Sequence, residues 1–210
     1  MLAVDHLVWG VPDLDLGMAD MEDRCGTTVV PGGAHPGAGT CNGILPLDGG
    51  VYVEILAPDK GQKLDQTIGE VLAGLEQPAL LGWAARTGDM WALKQEGHFK
   101  GYDLEEAVMT RRRPDGELLE WRLGRLEGRS LGGVWPFFID WMESPHPTDG
   151  HLAGCSLRHL IITSPDADEL NRFLRTVGLG VTANEGPVTG LEAVLDTPQG
   201  QVRLRGRDMP

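Results

Sequence analysis

The stretch VDHLVWGV at residues 4–11 is short and largely apolar, and it ends at Pro12-Asp13. This is the pattern of a β-strand closed by a turn. Asp13 is a suitable N-cap for a helix that runs to Cys25, and Gly26 stands where helices commonly end. Further strand signals follow at residues 27–31, 40–47 and 51–57. The N-terminal part of the chain therefore predicts one β-α-β-β-β unit.

The same order of elements recurs twice further along the chain. Near the C-terminus, a strand at 156–163 precedes a helix that ends at Gly178 and three more strand signals. A weaker copy lies between the two. One position, seven residues before each predicted helix cap, aligns the copies: His6 before Asp13, Gly82 before Asp89, and His159 before Asp166. The sequence therefore predicts an α+β protein built from three βαβββ modules.

The predicted boundaries follow from this repeat. They are module 1 at residues 1–58, a linking helix at 59–78, module 2 at 79–141, a connector at 142–154 and module 3 at 155–210. If sheets of this type cover each other in pairs, three modules leave one without a partner. A twofold axis would supply that partner most economically, so we expect a homodimer.

Charge and composition narrow the classes of partner. The 31 acidic and 18 basic residues give a formal net charge of −13, which repels nucleic acid and anionic lipid surfaces. No apolar run reaches the length of a membrane span, and the N-terminus lacks the basic region of a signal peptide. Three separated cysteines, without CxxC spacing, predict reduced thiols. We expect a cytoplasmic protein that binds a small molecule, with no nucleic acid and no membrane as partner.

Side-chain alternation predicts where polar residues meet. In module 1, His6 on the first strand and Tyr52 and Glu54 on the fourth strand share the face that the helix does not cover. A carboxylate between Val53 and Ile55 is costly to bury without a partner. His6 and Glu54 are therefore predicted to lie in a functional cleft between two sheets.

Four stretches of the chain resemble the glyoxalase-like domain family of the vicinal oxygen chelate superfamily. They are DHLVW with PDL at residues 5–14, GGAHPGAGTCN at 32–42, YVEIL at 52–56 and WPFFIDW at 135–141. The resemblance covers nearly the whole chain and implies a curved mixed sheet, or half-barrel, of paired modules. The superfamily contains glyoxalases, extradiol dioxygenases, epimerases and metal-free binding proteins, so the fold is specified better than the reaction.

The resemblance also implies a metal site, because the superfamily takes one ligand from the first and one from the fourth strand of each paired module. Carried over, module 1 supplies His6 and Glu54, and module 3 supplies His159. Arg203, at the fourth-strand position of module 3, has no lone pair to offer a metal. Module 2 supplies Gly82 and Asp140. Either pairing would provide ligands for one divalent metal, Zn, Fe, Mn or Ni.

The leading functional hypothesis is a small-molecule enzyme of lyase, isomerase or dioxygenase type that acts on a small oxygenated metabolite. Glu54 and Asp140 are its candidate catalytic carboxylates. The candidate substrate contacts are His35 and Asn42, in and after a glycine-rich loop, together with Trp141 and Arg203. The alternative is a metal-free protein that binds or sequesters a small molecule in the same cleft.

Two arrangements of the modules remain open at this point. If module 1 pairs with module 2, the cleft is lined by His6, His35, Asn42, Glu54 and Asp140. If module 1 pairs with module 3, His159 joins His6 and Glu54. The first is favoured because modules adjacent in sequence usually pack together. The run Arg111-Arg112-Arg113 is interpreted as the exposed end of a hairpin.

Overall fold

The computed structural model describes residues 2–95, 99, 101–113, 116–128 and 133–207. Its first unit contains β1 (Ala3–Gly10), α1 (Leu14–Cys25), β2 (Val30–His35), β3 (Thr40–Leu47) and β4 (Val51–Pro58). Asp13 caps α1 by accepting a hydrogen bond from the Leu16 amide at 3.3 Å. Gly26 ends the helix in the left-handed conformation, at φ 68°.

The rest of the chain repeats this order of elements. After α2 (Ile68–Ala73), the second unit contains β5 (Ala79–Thr87), α3 (Met90–Gln95), β6 (Leu104–Arg112), β7 (Leu118–Leu126) and β8 (Phe137–Asp140). The last unit contains β9 (Ser156–Ser164), α4 (Ala167–Thr176), β10 (Ala183–Glu185), β11 (Gly190–Thr197) and β12 (Gly200–Arg205). The predicted α+β class is confirmed.

The first two units form one sheet of eight strands in the order β2-β3-β4-β1-β5-β8-β7-β6. They join through the antiparallel pair of β1 with β5. The sheet curls so far that its two edge strands approach each other. A Cβ atom on Gly33 of β2, where φ is 130°, would lie only 2.4 Å from the carbonyl oxygen of Arg112 in β6. The predicted curved half-barrel is therefore confirmed, and the sheet joins module 1 to module 2.

The last unit forms a separate four-stranded sheet in the order β10-β9-β11-β12. Its first strand, β9, pairs in parallel with the strand that follows the helix directly. In the other units, β1 and β5 pair in parallel with the last strand, β4 or β8. The order of elements is thus shared by all three units, while the strand pairing is shared by two. A repeat of three equivalent copies remains a prediction.

The small sheet packs against its own chain. Phe173 of α4 lies against Trp135 and Phe138, with ring centroids 5.2 and 6.2 Å apart. Buried residues of α1, β11 and β12 belong to the same apolar core. The expectation of a homodimer rested on an uncovered third module, and this packing removes that reason. The dimer stays a prediction, which sedimentation of the purified chain would check. In the part of the chain described, no helix is long and apolar enough to span a membrane.

Candidate functional site

A cavity lies inside the curl of the eight-stranded sheet, and strands from both of its units line it. Counting its opening to solvent, the space enclosed by these strands is about 810 Å³. Most of the lining is apolar or aromatic: Val8, Leu56, Ile68, Leu81, Met109, Trp121, Leu123, Phe137, Ile139 and Trp141. The polar groups described below are concentrated on β1 to β4 and β6.

The carboxylate of Glu54 is held at one end of this cavity by a chain of hydrogen bonds. The Asn42 amide nitrogen donates to Glu54 Oε1 at 2.6 Å, and Arg111 Nη1 donates to Asn42 Oδ1 at 2.7 Å. Because a guanidinium only donates, this chain fixes the orientation of the Asn42 amide. Glu54 Oε2 faces His6 Nε2 across 3.8 Å, which is longer than a hydrogen bond. Oε2 therefore remains available to accept a proton or a hydrogen bond from a bound molecule.

His6 is oriented by a buried carboxylate beside it. Its Nδ1 lies 2.6 Å from Asp5 Oδ1, and the other Asp5 oxygen accepts hydrogen bonds from Trp141 Nε1 at 3.2 Å and His146 Nε2 at 3.1 Å. Burial alone would raise the pKa of Asp5, but the hydrogen bonds and charges of His146 and His6 lower it well below its usual range. Asp5 is therefore ionised and accepts the Nδ1 proton of His6, so that Nε2 faces the cavity and Glu54.

Two further cavity residues are kept neutral by burial. Burial lowers the pKa of His35 to about 4, against the opposing charge of Glu54, whose Oε1 lies 3.9 Å from His35 Nε2. Nδ1 of His35 lies 2.9 Å from the Thr40 hydroxyl. Burial also raises the pKa of Tyr52 well above its ordinary value, and its ring stacks on His6 at 4.7 Å. At neutral pH both side chains serve as uncharged hydrogen-bonding groups.

The structure brings most of the predicted site residues to this cavity: His6, His35, Asn42, Glu54 and Trp141. One local expectation is corrected on the way. His35 does not lie in a loop, because residues Val30–His35 pair with β3 as strand β2, and the turn begins after His35. Its side chain is positioned by the sheet, as are those of Asn42 and Glu54.

Asp140 does not face the cavity, contrary to expectation. Side chains alternate along β8, so Ile139 and Trp141 line the cavity and Asp140 points to the opposite side. There, Asp140 Oδ2 accepts a hydrogen bond from the Met90 amide at 3.1 Å, at the first residue of α3. Its other oxygen accepts from the Met142 amide. Asp140 therefore anchors the start of a helix and is not a second carboxylate of the site.

His159 and Arg203 do not reach the cavity either. Both lie exposed on the small sheet, on strands β9 and β12, where each is aligned with Val194 of β11 between them. The Arg203 guanidinium bonds to Glu192 Oε1, and Arg205 Nε donates to Glu192 Oε2 at 3.0 Å. The expectation that His159 joins His6 and Glu54, or that Arg203 contacts a substrate there, is therefore corrected. The small sheet has a different strand pairing and turns this face to solvent.

Arg111 was predicted at the exposed end of a hairpin and lies in the cavity instead. It is only 3% exposed and lines the cavity, whereas its neighbour Arg112 is exposed. Its alternation with Met109 on β6 was the available signal, because the two residues share a strand face. Asp5 and His146 were also missed. Asp5 gave a weak signal as an acid within an apolar strand, and His146 gave none, since it lies in the connector.

The residues present do not fit a divalent metal. In the described part of the chain, no group of three or more His, Cys, Asp or Glu side chains is arranged to hold one. The second unit adds no ligand to the cavity. Its first strand, β5, has Gly82 at the position aligned with Val8, and its last strand, β8, turns Ile139 to the cavity. One oxygen of Glu54 already accepts a hydrogen bond from Asn42. Of the predicted metal ligands only His6 and Glu54 line the cavity, and two ligands are fewer than the three or four of usual protein sites.

Comparison with known proteins gives a family and a fold. The model of the glyoxalase-like domain matches residues 4–178. A hypothetical protein from Staphylococcus aureus is 20% identical over 100% of this chain and 86% of its own, with a TM-score of 0.69. Methylmalonyl-CoA epimerase from Mycobacterium tuberculosis is 21% identical over 65% of this chain and 86% of its own, with a TM-score of 0.50. A hypothetical protein from Bacillus halodurans C-125 is 16% identical over 69% of this chain and 97% of its own, with a TM-score of 0.51. No curated protein sequence matches the chain. At such identities the structures support the fold alone.

Proposed function

This chain belongs to the glyoxalase-like domain family of the vicinal oxygen chelate superfamily, a group of small-molecule enzymes and binding proteins. From that premise we propose that it is an enzyme of isomerase or lyase type that moves a proton on a small oxygenated metabolite. Glu54 is the proposed base. The observation that carries the proposal is a carboxylate in an apolar cavity with one oxygen anchored by Asn42 and the other facing the cavity.

The chemistry needs a base that is close to the substrate and held still. Glu54 Oε2 removes a proton from a carbon next to a carbonyl group, and the electron pair moves onto the carbonyl oxygen to give an enolate. Return of the proton to the same or a neighbouring carbon completes an isomerisation. The anchored carboxylate does not have to be reoriented for this step, which is the benefit of a preorganised site.

His6 and the neutral side chains complete the site as positioning groups. His6 presents Nε2 beside Glu54 because Asp5 holds the opposite nitrogen of the ring. His35 and Tyr52, both uncharged, offer hydrogen bonds to a carbonyl or hydroxyl oxygen without adding charge. The aromatic walls exclude water and bind the apolar part of the substrate.

A second candidate is a binding protein without catalysis, and the predominantly apolar lining favours it. The two are separated by asking first which compounds bind and then whether they change. We would screen small carbonyl compounds for binding by calorimetry and incubate each bound compound with the protein in D2O. The enzyme hypothesis expects deuterium at a carbon beside the carbonyl group with the wild type and not with Glu54→Gln. Compounds that bind in the cavity and exchange no faster than in buffer would establish the binding protein instead.

A further inference from the structure

The cavity contains a buried positive charge whose direct partner is not an anion. Arg111 is 3% exposed, and its Nη1 donates to the neutral amide oxygen of Asn42. Its Nε has no hydrogen-bond partner among the described residues, although it is buried. Glu54 is connected to Arg111 only through Asn42. Buried guanidinium groups ordinarily pair with a carboxylate or a phosphate, because an unpaired charge is costly to remove from water.

The backbone is shaped to keep this guanidinium in place. A Cβ atom on Gly32 of β2 would lie 2.0 Å from Asn42 Oδ1 and 2.3 Å from Arg111 Nη1. Only glycine at this position leaves room for the bond between the two side chains. The edge strands β2 and β6 therefore close over Arg111, and the absence of a side chain at Gly32 is part of the site.

Among the other titratable groups around the cavity, Glu54 is the anion whose charge acts on Arg111, and Asn42 stands between the two side chains. Asp5 is already bonded to His6, Trp141 and His146. His35 and Tyr52 are uncharged at neutral pH for the reasons given above. The Nε–H of Arg111 therefore lacks an acceptor among the described residues.

We propose that the substrate is a small organic carboxylate with an aromatic or aliphatic body, and that Arg111 binds its carboxylate group. This rests on the proposed function and adds its substrate class. Asn42 bonds both groups, so a carboxylate on Arg111 places the adjacent carbons beside Glu54 Oε2. The body of the molecule lies against the aromatic walls, which include Trp121, Phe137 and Trp141.

The test uses two probes of the same shape and different charge, phenylacetate and phenylacetamide, with affinities measured by calorimetry. We expect the wild type to bind phenylacetate about tenfold to a hundredfold more tightly, the range for hydrogen bonds to a charged group. Arg111→Met should abolish this preference while phenylacetamide still binds. Arg112→Met, on the exposed face of the same strand, is the matched control and should retain it. Equal affinities in the wild type, no binding of phenylacetate, or a preference that survives Arg111→Met would overturn the proposal.

Two additional variants distinguish loss of the carboxylate contact from a general effect on folding. Gly32→Ala displaces the guanidinium without removing any charge, and it should lower phenylacetate affinity more than phenylacetamide affinity. Glu54→Gln removes a nearby negative charge, and it should leave the preference for phenylacetate intact or increase it. Loss of affinity for both probes to the same degree in Gly32→Ala would count against a specific carboxylate contact.

Exchange of phenylpyruvate in D2O separates this inference from the proposed function. A phenylacetate preference that depends on Arg111, without Glu54-dependent exchange, would uphold the carboxylate site and refute the base. Exchange that depends on Glu54, without any phenylacetate preference, would uphold Glu54 as the base and refute the carboxylate site.

Discussion

The two sheets of this protein have similar residues on corresponding strands, but these residues face a cavity in one sheet and solvent in the other. In the large sheet, His6 of β1 and Glu54 of β4 face a cavity, and His6 contacts the fully buried Asp5. In the small sheet, His159 and Arg203 of β9 and β12 lie exposed, and Arg203 shares Glu192 with Arg205. A histidine on the first strand and a charged residue on the last therefore do not by themselves make a site. A second sheet half has to cover their face.

The largest expected effect tests whether the covered face is the reactive one. Glu54→Gln should lower the rate of substrate deuterium exchange by about 10² to 10⁴, the usual contribution of a positioned base. Glu192→Gln, a carboxylate on a strand of the small sheet, should leave the rate unchanged. The measurement is exchange of a bound carbonyl compound followed by NMR. Equal losses in both variants would point to a general effect on folding.

The next effect contrasts a buried ionic cluster with a surface one. Asp5→Asn should reduce the free energy of unfolding by about 4 kcal/mol, because it breaks a cluster in which a fully buried carboxylate is the common acceptor. Glu192→Gln should reduce it by less than about 1 kcal/mol, because Arg203 and Arg205 are largely exposed. Urea unfolding at neutral pH measures both. Comparable values would mean that burial does not distinguish the clusters.

A pH series extends the contrast to histidines. The folded-state pKa of His35 is about 4, below its ordinary value of 6.5, so between these values the unfolded chain binds a proton that the folded chain does not. The contribution of neutral His35 to the free energy of unfolding is therefore complete above about pH 6.5. It decreases as the pH falls towards 4, by about 3 kcal/mol in total. His35→Asn should unfold with a weaker pH dependence in this window. A His35 variant whose pH dependence equalled that of the wild type would contradict this assignment.

A smaller effect compares the two faces of one strand. Asp140→Asn should cost about 1 kcal/mol of stability, the net value of one hydrogen bond, because an amide keeps only one of the two oxygens that accept from the Met90 and Met142 amides. Probe binding and exchange should be unaffected, since Ile139 and Trp141 are the residues that face the cavity. Thermal unfolding and calorimetry on the same sample check both statements. Loss of binding at unchanged stability would place Asp140 back in the site.

The smallest effect concerns metal ions. Because the cavity lacks a set of three suitable ligands among the described residues, adding Zn²⁺ or Mn²⁺, or removing metal with EDTA, should change the melting temperature by less than about 1 °C. Exchange by the wild type should be equally insensitive. A metal-dependent rise in melting temperature that disappears in His6→Ala would restore the metal hypothesis.

The sequence by itself determined the order of elements and much of the cavity. Capping residues, turns and apolar alternation are local signals, so the strand-helix-strand units and the shared face of His6, Tyr52 and Glu54 could be predicted without a structure. Asn42 and His35 followed from their position in the glycine-rich segment. The family resemblance, which the family match confirms, rests on the same local stretches.

The tertiary structure decided which of these residues meet. A shift of one residue along a strand moves a side chain to the other face, which is why Asp140 was predicted on the side that Ile139 and Trp141 occupy. Arg111 was predicted to be exposed. Its burial could not be predicted locally, because it depends on β6 curling towards β2, and these two segments lie far apart in sequence. The small sheet adopted another pairing of its strands and turned His159 and Arg203 to solvent. Strand register, sheet closure and pairing are set by packing over the whole chain, and no local pattern encodes them.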